Sequence, residues 1–113
     1  MTPGFQSFVE QELSKVPIAA WAARDPSRAV SSNSRCDWLP LARVSQVFSR
    51  LLLGLDGFRY HQIEPKQICY TFERGCIYVA TRQDGACLAL FIEGGQESHR
   101  ESVKPALDKF GAL

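Results

Sequence analysis

The sequence predicts a small α+β domain with the element order α-β-β-α-β-β-β-α, its helices covering an antiparallel sheet. Two patterns and the length lead there. Apolar residues from Leu41 to Leu55 recur at i, i+3, i+4 and i+7, as on an amphipathic helix, whereas beyond Phe58 the period falls to 2, as on strands. Other short apolar runs are fenced by Pro, Gly and Asp, which suits buried strands. At 113 residues the chain matches the usual domain size of about 100–150 residues, so residues 1–113 are read as one domain.

The first helix starts with Thr2 as cap and Pro3 as first helical residue, places Phe5, Phe8, Val9, Leu13 and Val16 on one stripe, and runs to about Lys15, before Pro17. Ile18 to Ala23 is a continuous apolar run between Pro17 and Asp25-Pro26-Ser27, a first strand, with Arg28 to Ser32 as its hairpin partner. Its alanines, Ala19, Ala20, Ala22 and Ala23, leave room for helices to pack closely on both faces. Asp37 is the expected cap of the second helix, whose stripe is Leu41, Val44, Phe48, Leu51, Leu52 and Leu55. Gly54 and Gly57 are placed to end it. Another face of this helix mixes Arg43, Gln46, Val47, Arg50 and Leu53, the residue types found at interface centres as well as on solvated surfaces.

Ile68, Tyr70 and Phe72 alternate with Gln67, Cys69 and Thr71, which predicts a one-faced strand, and Pro65 just before it places that strand near a sheet edge. Glu73-Arg74-Gly75 turns the chain into a strand over Cys76 to Thr81, and Gln83-Asp84-Gly85 turns it again. Cys87 to Ile92 is apolar at every position, so this strand is central and covered on both faces. Glu93-Gly94-Gly95 leads to a last helix with the stripe Val103, Ala106, Leu107 and Phe110, ended by Gly111. Pro105 inside it predicts a kink near Glu101 or a loose first half from Gln96 to Lys104.

Composition narrows function mostly by exclusion. With 45% hydrophobic and 22% charged residues the chain is unlike disordered, collagen-like or coiled-coil sequences. Thirteen basic and twelve acidic residues are spread evenly, six and five up to Gly57 and seven and seven after it. No basic block marks a nucleic-acid surface. No apolar run approaches the roughly 20 residues of a membrane span. The start of the chain has no signal-peptide pattern, so the expected compartment is the cytoplasm, with Cys36, Cys69, Cys76 and Cys87 as reduced, mainly structural thiols. Their spacing matches no zinc signature. No nucleotide-binding loop, nucleophile elbow or metalloprotease motif occurs, and His61 and His99 have polar neighbours without an acid or nucleophile close by. No catalytic group, cofactor or metal is expected.

The order of elements resembles the roadblock family of dynein light chains and their bacterial and archaeal relatives. The resemblance is carried by Phe8-Val9 and Leu13 leading into Pro17 to Ala23, by Leu51-Leu52-Leu53 closing a long second helix, and by the meander of Ile68 to Phe72, Cys76 to Ala80 and Asp84 to Phe91. It covers roughly Phe5 to Phe110. The family places an Asp with a nearby Gly in the first hairpin, whereas Asp25-Pro26-Ser27-Arg28 has no glycine. The resemblance implies a five-stranded antiparallel sheet in the order 2-1-5-4-3, related to profilin, with the long helix on one face and the terminal helices on the other. It further implies a homodimer joined through third strands and second helices, with Arg43, Gln46, Val47, Arg50, Leu53, Gln67, Cys69 and Thr71 at the dimer or partner interface. The partner it implies is a Ras-like small GTPase, or a motility or polarity complex. Two other classes fit a small non-catalytic α/β chain. One is a type III secretion-type chaperone, which the net charge of +1 disfavours, such chaperones being acidic. The other is a small-molecule sensor with a profilin-like or PAS-like sheet and a pocket lined by Trp21, Tyr70 and Tyr78.

Overall fold

Helices cover both faces of one sheet in the computed structural model, which describes residues 3–63, 65–94 and 100–113. The elements are α1 (Pro3–Gln11), a 3₁₀ turn (Leu13–Lys15), β1 (Ala20–Arg24), β2 (Val30–Ser34), α2 (Leu41–Tyr60), β3 (Gln67–Phe72), β4 (Gly75–Thr81), β5 (Cys87–Glu93) and α3 (Arg100–Ala112). All strand pairs are antiparallel and the order is β2-β1-β5-β4-β3. β5 is therefore central, and Cys87 to Ile92 are all buried.

The register splits the core in two. Trp21, Leu90 and Tyr78 lie in one row across the sheet, facing α1 and α3. There Phe5, Phe8 and Phe110 meet with ring centroids 5.9–6.2 Å apart. Ala22, Ala89, Val79 and Ile68 form the neighbouring row, which faces α2 and its Val44, Phe48 and Leu55. The alanines at positions 20, 22 and 89 bring α2 close to the strands, while Ala23 does the same on the other face.

Several boundaries differ from expectation for identifiable reasons. β1 extends to Arg24 because this buried side chain donates from Nε to the Gly85 carbonyl at 2.9 Å and reaches Asp56 at 3.4 Å. β2 begins at Val30, not Arg28, because the turn consumes residues 26–28. Asp25 accepts from the Arg28 N–H at 2.9 Å, and Arg28 takes the left-handed conformation (φ 71°). α2 is capped at Pro40, not Asp37: the fixed φ of proline suits a helix start, and its carbonyl accepts from Arg43 and Val44.

Nor do Gly54 and Gly57 end α2. The helix runs to Tyr60 and stops in a Schellman motif, with Ile63 N–H bonded to Phe58 O, Gln62 N–H to Arg59 O, and Gln62 left-handed (φ 64°). The α-helical part of α1 ends at Gln11, its last turn being 3₁₀. α3 is helical from Arg100 through Pro105 and past Gly111. Pro105 deprives only the carbonyl of Glu101, in the first turn, of its helical partner. The expected roles of Thr2, Gly95, Gln96 and His99 fall outside the described residues.

Candidate interaction surface

β3 is the barest element of the sheet. Only Ile68 is half-buried; Tyr70 and Phe72 are 37% and 40% exposed, although their side chains stand on the α2 face. Alternation read them as a covered face, yet the single subunit leaves that face open. Hydrogen-bond parity says which backbone groups are free to pair. Thr81 donates to the carbonyl of Lys66, its register partner, so Lys66, Ile68, Tyr70 and Phe72 bond inward to β4. The N–H and C=O groups of Gln67, Cys69 and Thr71 point out of the sheet edge. Their side chains, all exposed, stand on the α1–α3 face, as the pairing of Cys69 with Tyr78 shows.

α2 packs over β1 and β2 on the face of the sheet that carries Ile68, Tyr70 and Phe72, with two unlike flanks. One flank is tied down: Ser45 meets Ser32 of β2 at 3.3 Å and Asp56 meets Arg24. On the opposite flank, about half a helical turn away, Arg43 and Arg50 are exposed and form no ion pair among the described residues. Val47 lies between them, half-buried against the core that includes Ile68. Gln46 and Leu53 face solvent, Leu53 at 73% exposure. The eight residues expected at an interface thus form two groups on opposite faces of the sheet, all exposed except half-buried Val47. Ile68, Tyr70 and Phe72, which that expectation omitted, stand on the α2 side of the edge. Pro65, which marked the strand as an edge, was the signal that their face lacks cover.

Little here resembles a reactive centre. Burial pushes the Cys87 thiol up to about 12, with Arg24 and Arg59 opposing and Asp56 reinforcing, so it stays a protonated, inert thiol. Lys109, bonded to Glu12 at 2.9 Å, holds that carboxyl below its usual value. His61 is exposed at the end of α2, edge-on to Tyr60. Among the described residues no three His, Cys, Asp or Glu side chains gather as metal ligands, and no helix is long and apolar enough to cross a membrane. An open groove of about 640 Å³ lies at the sheet end, between Arg59, Lys66, Thr81, Asp84 and Asp108. It does not involve Trp21, Tyr70 or Tyr78. Those three cannot line a common pocket, because Tyr70 faces α2 while Trp21 and Tyr78 face α1 and α3.

No family model matches the chain, and no curated protein is significantly similar to it. Solved structures do match. MglB from Myxococcus xanthus aligns with a TM-score of 0.67 at 9% identity, over 99% of this chain and 90% of that one. An MglB structure described as having a tetrameric arrangement aligns at 0.60 and 14% identity, over 95% and 85%. A Roadblock/LC7 domain from Streptomyces avermitilis aligns at 0.55 and 15% identity, over 91% of each chain. At these identities the likeness concerns the fold: the chain has the roadblock fold, with the sheet order and helix placement described above.

Proposed function

We propose that the chain is a non-catalytic, cytoplasmic homodimer that serves as a scaffold or regulator, pairing through β3 and α2 and offering the joined surface to a Ras-like small GTPase or a motility or polarity complex. The observation that carries the dimer is the open β3 edge, where half-buried Ile68 and exposed Tyr70 and Phe72 share the α2 face of the sheet with Arg43 and Arg50, which form no ion pair among the described residues. An edge with free donors and acceptors and an apolar side is one that natural proteins pair or cover. The tetrameric arrangement named for one structural neighbour is in keeping with self-association. The GTPase reading rests on the roadblock likeness, and the cationic, apolar outer face of α2 supplies the charge and apolar area that a protein partner requires. Any effect on GTP hydrolysis would come from stabilising one arrangement of the GTPase's own groups, a population shift.

Light scattering at tens of micromolar is expected to give a dimer mass. Val47→Asp and Leu53→Asp should each weaken association by about 2 kcal/mol, as loss of an interface anchor does. Ser31→Asp, on β2 at the far edge, should leave it unchanged. A native monomer would remove the dimer, and equal effects of all three substitutions would remove α2 from the interface. Immobilised dimer is expected to retain a small GTPase from nucleotide-loaded extract and to lose it with Arg50→Glu. Recovery of an unfolded effector, or of a bound small molecule, would favour the chaperone or the sensor instead.

A further inference from the structure

We propose that two copies of β3 pair in a single antiparallel register whose twofold axis passes at Tyr70. The inference rests on the dimer reading above and adds which residue meets which. Only residues with outward backbone groups bond across the new ladder, so Gln67, Cys69 and Thr71, with the N–H of the turn residue Glu73 continuing their alternation, must face one another. Three axis positions allow this while keeping most of the strand paired.

An axis at Ile68 sets Thr71 opposite Pro65 of the second copy, and proline has no N–H to give. It also carries Phe72 beyond the partner strand. An axis at Cys69 sets Glu73 opposite Pro65, with the same missing donor, and places the Phe72 ring against Lys66. An axis at Tyr70 keeps proline out of the ladder: it pairs Cys69 with Thr71 and sets Gln67 opposite the turn residue Glu73, each twice. On the α2 face it stacks Tyr70 on Tyr70 and Ile68 on Phe72, so every apolar side chain of the strand meets an apolar partner. The segment Gln67-Ile68-Cys69-Tyr70-Thr71-Phe72-Glu73 is a chemical palindrome about its centre, polar matching polar and apolar matching apolar. That self-complementarity selects a second copy of this chain over a foreign strand. Lys66 and Arg74 would be the one like-charged pair, at the rim, where Arg74 already lies 5.3 Å over the Trp38 ring.

Area argues the same way. Six residues of strand make a strip about 20 Å long and about 5 Å wide, an area well short of the roughly 800 Å² per partner in a standard interface. The free flank of α2, continuous with the strip through Val47 and Ile68, supplies the remainder only if the partner also brings a helix beside its edge strand, as a second copy does.

The test compares thiols in the oxidised protein. Tyr70 on the axis is a non-hydrogen-bonded pair, whose close Cβ atoms suit a disulfide. With Cys69→Ser as background, adding Tyr70→Cys and treating with copper phenanthroline as oxidant should give a covalent dimer roughly a hundredfold faster than the background alone, since the paired thiols react at an effective concentration in the millimolar range. Native Cys69 should cross-link no faster than the Cys69→Ser background. Rapid Cys69 cross-linking with slow cross-linking at position 70 would move the axis to Cys69 and overturn the register while leaving the dimer intact. Should Tyr70→Cys weaken pairing, isotope-filtered NOEs in a mixed labelled and unlabelled native dimer decide instead. Strong Phe72–Ile68 contacts between subunits are expected, and strong Phe72–Lys66 contacts overturn the register. A native monomer overturns both the register and the dimer.

Discussion

The two edges of the sheet differ in what the chain does with their unpaired backbone. At β2 the bonds from Arg35 N–H to Ala19 O and from Asp25 N–H to Ala29 O leave Val30, Ser32 and Ser34 pointing outward. Asn33 Oδ1 accepts the outward Ser34 N–H at 2.9 Å, Ser32 is within 3.3 Å of Ser45 on α2, and Ser34 Oγ donates to the carbonyl of Leu39. Beyond exposed Val30 the strand is polar and partly roofed by α2, and its outward Ser34 N–H is taken by its own Asn33 side chain. β3 has no such arrangement: its outward groups belong to exposed Gln67, Cys69 and Thr71, and the rings of Tyr70 and Phe72 stand uncovered. One edge is closed against association and the other prepared for it, which places the working surface at β3 and the adjoining flank of α2.

The largest effect on this contrast is expected from Gly75→Ala. Within the sheet β3 is joined to β4 alone, and the hairpin joining them is held against β5 where Gly75 passes the Ile92 carbonyl and Gly94 donates to the Arg74 carbonyl. A methyl group at position 75 would overlap that Ile92 carbonyl, which is backbone and cannot swing aside. The cost should be about 3 kcal/mol, at the upper end for overpacking, read as a lower urea midpoint. Amide exchange should speed up along β3 while β2 keeps its protection. Equal loss at both edges would show that they do not behave independently.

The sequence made much of this frame legible, because burial on two faces leaves a clear mark. The unbroken apolar run Cys87–Ile92 could only be central, and the stripe from Val44 to Leu55 could only be a helix on a core. Boundaries were harder, since they turn on long-range bonds. Arg24 lay beyond the expected end of the first strand at Ala23, yet it is buried, its side chain bonded to Gly85, sixty-one residues away. Pro40 displaced Asp37 as the cap of α2 through backbone geometry that a side-chain rule does not weigh. At the candidate surface, alternation disclosed that Ile68, Tyr70 and Phe72 share an apolar face. It carries no information on whether the cover comes from the same chain or another, so the expected interface took in only their polar neighbours.

A smaller effect should follow Asn33→Ala. The substitution frees the outward Ser34 N–H but leaves the strand and its hydroxyl contacts in place. Because that N–H can turn to water, the loss in stability should be about 0.5 kcal/mol. The sharper readout is association: light scattering should show slow growth beyond the dimer, now through β2. If the dimer mass stays fixed at all concentrations, cover from α2 and the serines is enough to close that edge without Asn33.

The smallest expected change is a gain, at the turn leading into β2. The two hairpins that enter edge-side and central strands share one loop geometry. Arg28 N–H bonds to Asp25 O and Asp25 N–H to Ala29 O; likewise Gly85 N–H bonds to Arg82 O and Arg82 N–H to Ala86 O. The third loop residue is left-handed in both, with φ 71° at Arg28 and 92° at Gly85. This loop type favours glycine at that position, and the first hairpin, glycine-free in sequence, meets the demand by straining an arginine. Arg28 is exposed and its side chain makes no hydrogen bond or ion pair among the described residues. Arg28→Gly therefore relieves about 1 kcal/mol of left-handed strain against the greater chain entropy of glycine when unfolded. The net should be a gain of about 0.5 kcal/mol, a rise in Tm of roughly 2–4 °C, with dimer affinity unchanged because β3 is untouched. A fall in Tm would mean that Asp25, which accepts from Ser27 N–H, Ser27 Oγ and Ala29 N–H, already holds the turn so firmly that glycine adds only unfolded-state freedom.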